Sequence, residues 1–325
     1  MTARVLALFL GGTIGMAGHR DGVVSRLTAA DLVASVPQLA ELDVELDTSN
    51  ARSLPSAHLT FADVLEVVAT AESADVDGVV VVQGTDTLEE TAYLIDLVWP
   101  HDTPVVVTGA MRNPSMAGSD GPANLLSAVQ VAASTEFRGL GALVVFNDQV
   151  HAARFVRKTH STSTATFVSP NAGPLGLLVE GRPVRLTSVA RRPTHRPTRT
   201  PDARVPIHST GMDDEGWRGG GSAERPDGLV VAALGVGHVP ERLADELVGL
   251  AQDIPVVLTS RTGAGPVLSH TYGFAGSETY LLGRGLVGGG LLDPYKARVL
   301  LKVALACDYD PEQIRRAFAD AGGLG

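Results

Sequence analysis

Gly78-Val79-Val80-Val81-Val82-Gln83-Gly84-Thr85-Asp86-Thr87-Leu88-Glu89-Glu90-Thr91-Ala92 reads as a buried strand, a polar turn and the opening of a helix. Four consecutive valines offer no polar face, the composition of a strand covered on both sides in a parallel sheet. Ligands of such sheets bind at the carboxyl ends of the strands, and Gly84 lets the backbone come close to one. The arrangement occurs twice, because Val5–Leu10 runs into Gly11-Gly12-Thr13. Two strand ends that each carry a threonine predict one site assembled from two turns.

Strand-like and helical patterns alternate on either side of that stretch. Strands are predicted at Arg4–Leu10, Asp43–Leu46, Gly78–Val82, Pro104–Thr108 and Leu140–Phe146. Helices are predicted at Thr28–Val36, Phe61–Glu72 with Thr60 as cap, Leu88–Val98 and Pro122–Ser134. The alternation implies an α/β fold, with a doubly wound, mostly parallel sheet in a large domain over 1–190. Residues 191–226, rich in Pro, Arg and Gly, read as a linker. A smaller α/β domain over 227–325 holds strands Leu229–Leu234 and Pro255–Thr259 and helix Pro240–Gln252. Two further helices are opened by Asp293-Pro294 and Asp310-Pro311.

Composition removes several classes of function. The 325 residues exceed a usual single core, and no segment is long and apolar enough to span a bilayer. A net charge of −10 argues against a nucleic-acid partner. The basic stretch Arg191–Arg199 is interrupted by prolines, lacks aromatic residues and reads as solvated linker. A single cysteine, Cys307, excludes an intrachain disulfide or cysteine metal cluster, and it reads as a buried core thiol after Val299–Ala306. Val5–Leu10 is too short for a secretory leader, so a cytoplasmic protein is expected.

A threonine hydroxyl needs a basic partner to attack a carbonyl. Lys158 is a candidate, since it, Lys296 and Lys302 are the only lysines in a chain that otherwise uses arginine. Lysine can give up its proton when desolvated, and arginine cannot. Thr87 is expected to cap the next helix with Glu90, which leaves Thr85 free. Gly11-Gly12-Thr13-Ile14-Gly15 lacks the lysine of a phosphate-binding loop.

These residues, taken in order, resemble the bacterial-type L-asparaginases, the two-threonine asparaginase/glutaminase family. The resemblance runs through Gly11-Gly12-Thr13-Ile14, Gln83–Ala92, Gly109-Ala110-Met111-Arg112 and Asp120-Gly121-Pro122. It continues through Lys158-Thr159, Gly173-Pro174-Leu175-Gly176 and Pro294-Tyr295-Lys296-Ala297-Arg298. It implies an amidohydrolase, without metal or organic cofactor, that turns L-asparagine, with L-glutamine as a second candidate substrate, into the acid and ammonia. Thr13 would be the nucleophile, Thr85 and Lys158 a second catalytic pair, and Asp86 the partner of the substrate ammonium. Ser56 would hold the substrate carboxylate, and backbone around Thr85 and Ala110 the oxyanion. Glu278 would reach a neighbouring subunit's site, which makes the protein a homodimer or homotetramer.

The chain departs from the family in three places. Met16–Val24, where relatives carry a mobile tyrosine, has none; His19, Arg20 or Tyr280 are the candidate replacements. Ala57 follows Ser56 where a carboxylate-binding polar residue is expected. An asparagine region of the C-terminal domain reads Gly237-His238-Val239-Pro240. Two other functions fit the motifs: a non-catalytic amino-acid sensor, and the asparaginase-like subunit of a tRNA-dependent amidotransferase.

Overall fold

The computed structural model describes residues 2–17, 24–25, 28–217 and 225–323. The chain divides into two compact units, Met1–Thr194 and His195–Gly325. Strands of the first are β1 (Ala3–Phe9), β2 (Met16–Ala17), β3 (Val24–Ser25), β4 (Val44–Asn50), β5 (Gly78–Val82) and β6 (Val105–Thr108). They continue as β7 (Ala142–Phe146), β8 (Gln149–Ala152), β9 (Arg157–Lys158), β10 (Phe167–Val168), β11 (Gly176–Val179) and β12 (Arg182–Arg185). Its helices are α1 (Ala29–Ala34), α2 (Phe61–Glu72), α3 (Leu88–Val98) and α4 (Gly121–Ala133).

Eight of these strands form one sheet in the order β12-β11-β8-β7-β6-β5-β1-β4. From β4 to β7 all neighbours are parallel; β8, β11 and β12 extend the sheet antiparallel. Val5, Ala7, Phe9, Val80 and Val82 pack with α1 and α4 on one face. The alternate residues Leu8, Val79 and Val81 are buried as well, so the other face needs cover, which α3 supplies against β6 and β7. Each fully buried valine contributes roughly 1.5–3 kcal/mol relative to exposure. The chain passes from β1 to β4 on one side and returns to β5 on the other. That reversal puts a switch point between β1 and β5, the crevice where open sheets bind ligands.

The sequence places the helix starts well. Thr60 accepts from Asp63 N while Asp63 accepts from Thr60 N, a reciprocal cap. Hydrogen bonds from Thr60 and Arg52 hold the Asp63 carboxyl down at about 2. Thr87 behaves otherwise: it makes no side-chain cap bond, and its hydroxyl donates to Ser56 O at 2.9 Å. The backbone carbonyl of a distant segment takes the hydroxyl that local sequence assigned to the helix.

The second unit holds β13 (Ile207–Ser209), β14 (Leu229–Ala233), β15 (Val256–Ser260) and β16 (Val287–Gly288), a parallel sheet in sequence order. Its helices are α5 (Glu241–Leu250), α6 (Glu278–Leu282), α7 (Pro294–Ala306) and α8 (Pro311–Gly322). Asp293 and Asp310 cap α7 and α8 as their Asp-Pro pairs imply. Strand β13 lies inside the stretch read as linker. The basic stretch is also pinned rather than merely solvated. Arg191 bonds to Asp102 and to the carbonyls of Trp99 and His101, while Arg199 donates to Leu305 O at 2.9 Å. Cys307 is the half-buried C-cap of α7 and not a core thiol; burial nevertheless pushes its pKa up.

Candidate active site

The turns after β1 and β5 touch through their glycines. Val82 pairs with Phe9, so the two strands end side by side. Gly11 and Gly12 adopt φ of 102° and 91°, a region that L side chains rarely enter. A Cβ on Gly12 would lie 2.1 Å from Gly84 N. One on Gly84 would lie 2.7 Å from Ser56 Oγ. The turn after β6 joins them, because a Cβ on Gly109 would lie 2.3 Å from Gln83 O. Ile14, next to Thr13, packs against Gly121 at the start of α4.

Thr85, 6% exposed, sits at the mouth of this junction. Its Oγ1 is 2.9 Å from Lys158 Nζ, and Asp86 Oδ1 is 3.0 Å from the same amine. Lys158 comes from the short hairpin of β9 and β10, where it faces Phe167. Its own N–H donates to Glu89 Oε2 at 2.6 Å, so the first turn of α3 fixes the strand that carries the amine. Ser56 is buried beneath, and its hydroxyl accepts from Asp86 N at 3.1 Å. Among the predicted residues, Ser56, Thr85, Asp86 and Lys158 are therefore directly linked. Thr13 belongs to the adjacent turn, closed by Gly15 N donating to Gly12 O at 3.0 Å.

Ala110 is fully buried in the turn after β6. That turn is held by two residues to which sequence reading gave no role. Asp120 accepts from Met111 N and Arg112 N, and Asn124 donates to Gly109 O at 3.0 Å. Glu89 is a third. Asp120 and Glu89 lay within the family motifs, and only their placement shows what they hold. His19 and Arg20 lie outside the described residues. Tyr280 is in the second unit, where its hydroxyl donates to Asp245 and its ring lies under Arg284.

Glu278, at the start of α6, is fully buried. Burial works to raise its pKa, but the N–H groups of Tyr272 and Thr271 prevail and hold it below the ordinary value. His238 Nε2 lies 3.2 Å from Glu278 Oε2 without the alignment of a hydrogen bond. All three lysines are engaged: Lys296 pairs with Asp293 at 3.0 Å and Lys302 donates to Ala203 O at 2.6 Å. Among the described residues no group of three or more potential ligands could hold a metal ion. No helix of the described residues is long and apolar enough to cross a membrane.

Residues 4–191 match the family model of the asparaginase N-terminal domain, and residues 209–318 that of the glutaminase/asparaginase C-terminal domain. The chain is 38% identical to a probable L-asparaginase of Deinococcus radiodurans, over 97% of each chain. It is 36% identical to an L-asparaginase of Bacillus licheniformis, over 94% of this chain and 96% of that one. A crystal structure of a probable cytoplasmic L-asparaginase from Campylobacter jejuni superposes with a TM-score of 0.85 at 30% identity, covering 98% of this chain and 99% of the other.

Proposed function

The chain belongs to the asparaginase/glutaminase family, and on that premise we propose that it hydrolyses the side-chain amide of L-asparagine, and of L-glutamine, to the acid and ammonia. One observation carries the reading: a lysine amine 2.9 Å from a threonine hydroxyl, in a crevice where two glycine turns meet at a switch point.

Thr13 attacks the amide carbon, the C–N bond breaks, and ammonia leaves with the proton surrendered by the hydroxyl. Water then cleaves the threonine ester and restores Thr13. The Thr85 hydroxyl and Lys158 amine move protons during both steps. Backbone N–H groups of the turns carrying Thr85 and Ala110 stabilise the oxyanion. Ser56 holds the substrate carboxylate.

Asp86 has a double task in this scheme. As it stands it is the counter-charge of Lys158. In the bound state the substrate ammonium takes Asp86 as its partner, which pairs the carboxylate with an amino-acid substrate and selects it over a simple amide. The protein acts in the cytoplasm as a homodimer or homotetramer, with Glu278 of one copy serving the site of the next.

Steady-state ammonia release tests the reading. Native protein releases ammonia from asparagine, whereas Thr13→Ala, Thr85→Val and Lys158→Met each lose at least about 100-fold in kcat. Near-native kcat in any of the three would refute the two-threonine scheme.

A further inference from the structure

Lys158 is held by an unusually small strand, and the loop that closes its hairpin is organised around one side chain. Strand β9 has two residues and pairs only with β10. Between them, residues 159–166 form a loop rich in Ser and Thr. His160 Nδ1 accepts from Thr162 N at 3.1 Å and from Ser163 N at 3.0 Å. Its backbone N–H donates to Thr166 Oγ1 at 2.9 Å, and the Thr166 hydroxyl donates back to His160 O. Thr159 is tied to Thr166 O by both its N–H, at 2.9 Å, and its hydroxyl, at 3.0 Å. The imidazole thus fixes the tip, Thr166 transmits the constraint to Thr159, and Thr159 adjoins the catalytic lysine.

We propose that His160 is a positioning residue for the reaction, which holds the Lys158 amine in register with the Thr85 hydroxyl by closing the hairpin on which Lys158 stands. The inference rests on the amidohydrolase reading only in the identity of the step that suffers. An acceptor at Nδ1 requires an unprotonated nitrogen there, so the ring's remaining N–H is at Nε2 in the neutral form. His160 is exposed, so removing its ring leaves amides that water can serve; the fold loses little. The amine loses its placement, and displacements of about 1 Å cost rates up to about 100-fold.

Two variants and two readouts test this. Asparagine can accept from the N–H groups two and three residues on, and alanine cannot. His160→Ala is expected to lower kcat at least about tenfold with KM within about twofold and an unchanged denaturation midpoint, while His160→Asn recovers kcat to within about threefold. The second readout does not depend on turnover. Lys296 and Lys302 are buried, so the rate at which trinitrobenzenesulfonate modifies Lys158, followed by peptide mapping, reports whether its amine is still held. The rate rises in His160→Ala and stays native in His160→Asn. Native kcat and native labelling in His160→Ala would overturn the proposal, as would equal impairment of both variants. A native protein that releases no ammonia, but shows the labelling pattern, sinks the activity and leaves the positioning role standing.

Discussion

Gly12→Ala is the substitution that asks most directly whether the two turns meet as described. The added Cβ would lie 2.1 Å from Gly84 N and 2.3 Å from Gly84 Cα, both backbone atoms with no side chain to swing away. Comfortable contact needs about 3.5 Å, so the turns must part by roughly 1–1.5 Å. A φ of 91° costs an L residue roughly 1–2 kcal/mol, and forcing backbone apart costs roughly 1–3 kcal/mol more. A stability loss of about 2–5 kcal/mol follows, together with a fall in kcat of about 100-fold, since the turns that carry Thr13 and Thr85 no longer share a crevice. Gly173→Ala supplies the control: its φ is 72°, but nothing lies within 4 Å of the new Cβ. It should pay the conformational cost alone, roughly 1–2 kcal/mol, and keep native turnover. Urea denaturation and ammonia release on both variants decide the matter. If Gly12→Ala unfolds no more readily than Gly173→Ala, or keeps more than about a tenth of native kcat, the close approach of the turns is not what builds the site.

Asp86→Asn should weaken asparagine binding and lower kcat together, and native protein should turn over N-acetyl-asparagine far more slowly than asparagine; equal kcat/KM for the two substrates would contradict the Asp86 role. His151 gives a prediction about stability. It is fully buried on β8, its Nδ1 lies 2.9 Å from Ser169 Oγ, and burial lowers its pKa from 6.5 to about 4. The unfolded chain therefore takes up the proton first: this contribution is complete above about 6.5 and shrinks as pH falls toward 4, by roughly 3 kcal/mol in all. His151→Gln should flatten the urea midpoint between pH 6.5 and 4, and parallel profiles for the two proteins would rule the group out.

What could be read from the sequence is what depends on neighbours a few positions away. Valine runs gave β5, β6 and β7, and Thr60, Asp293 and Asp310 gave helix starts, because a cap needs only its own first turn. Strands β8 and β12 escaped, since Gln149, His151, Arg182 and Arg185 blur any apolar pattern and the strands form only by joining a finished sheet. Thr87 misled for the same reason: its partner lies thirty-one residues upstream. The scarcity of lysine pointed to Lys158 with an incomplete rationale. Lys296 and Lys302 are buried and reach Asp293 and Ala203 O, whereas the half-buried Lys158 reaches the Thr85 hydroxyl, so the acceptor and not the scarcity distinguishes it. Asp120 and Asn124 stayed invisible as supports because the carbonyl and amides they hold belong to a different turn.

The position of β1 between β4 and β5 has a consequence for how the protein is made. β1, with an almost wholly apolar sequence, leaves the ribosome before either of its partners. The stretch between Phe9 and Gly78 is about seventy residues, which takes roughly 4–14 s at 5–20 residues per second. Even after β4 is made, the edge of β1 that β5 will take stays open to other nascent chains until that interval ends. Yield in a heterologous host should therefore respond to chaperone supply and growth temperature more than to mutations at the site.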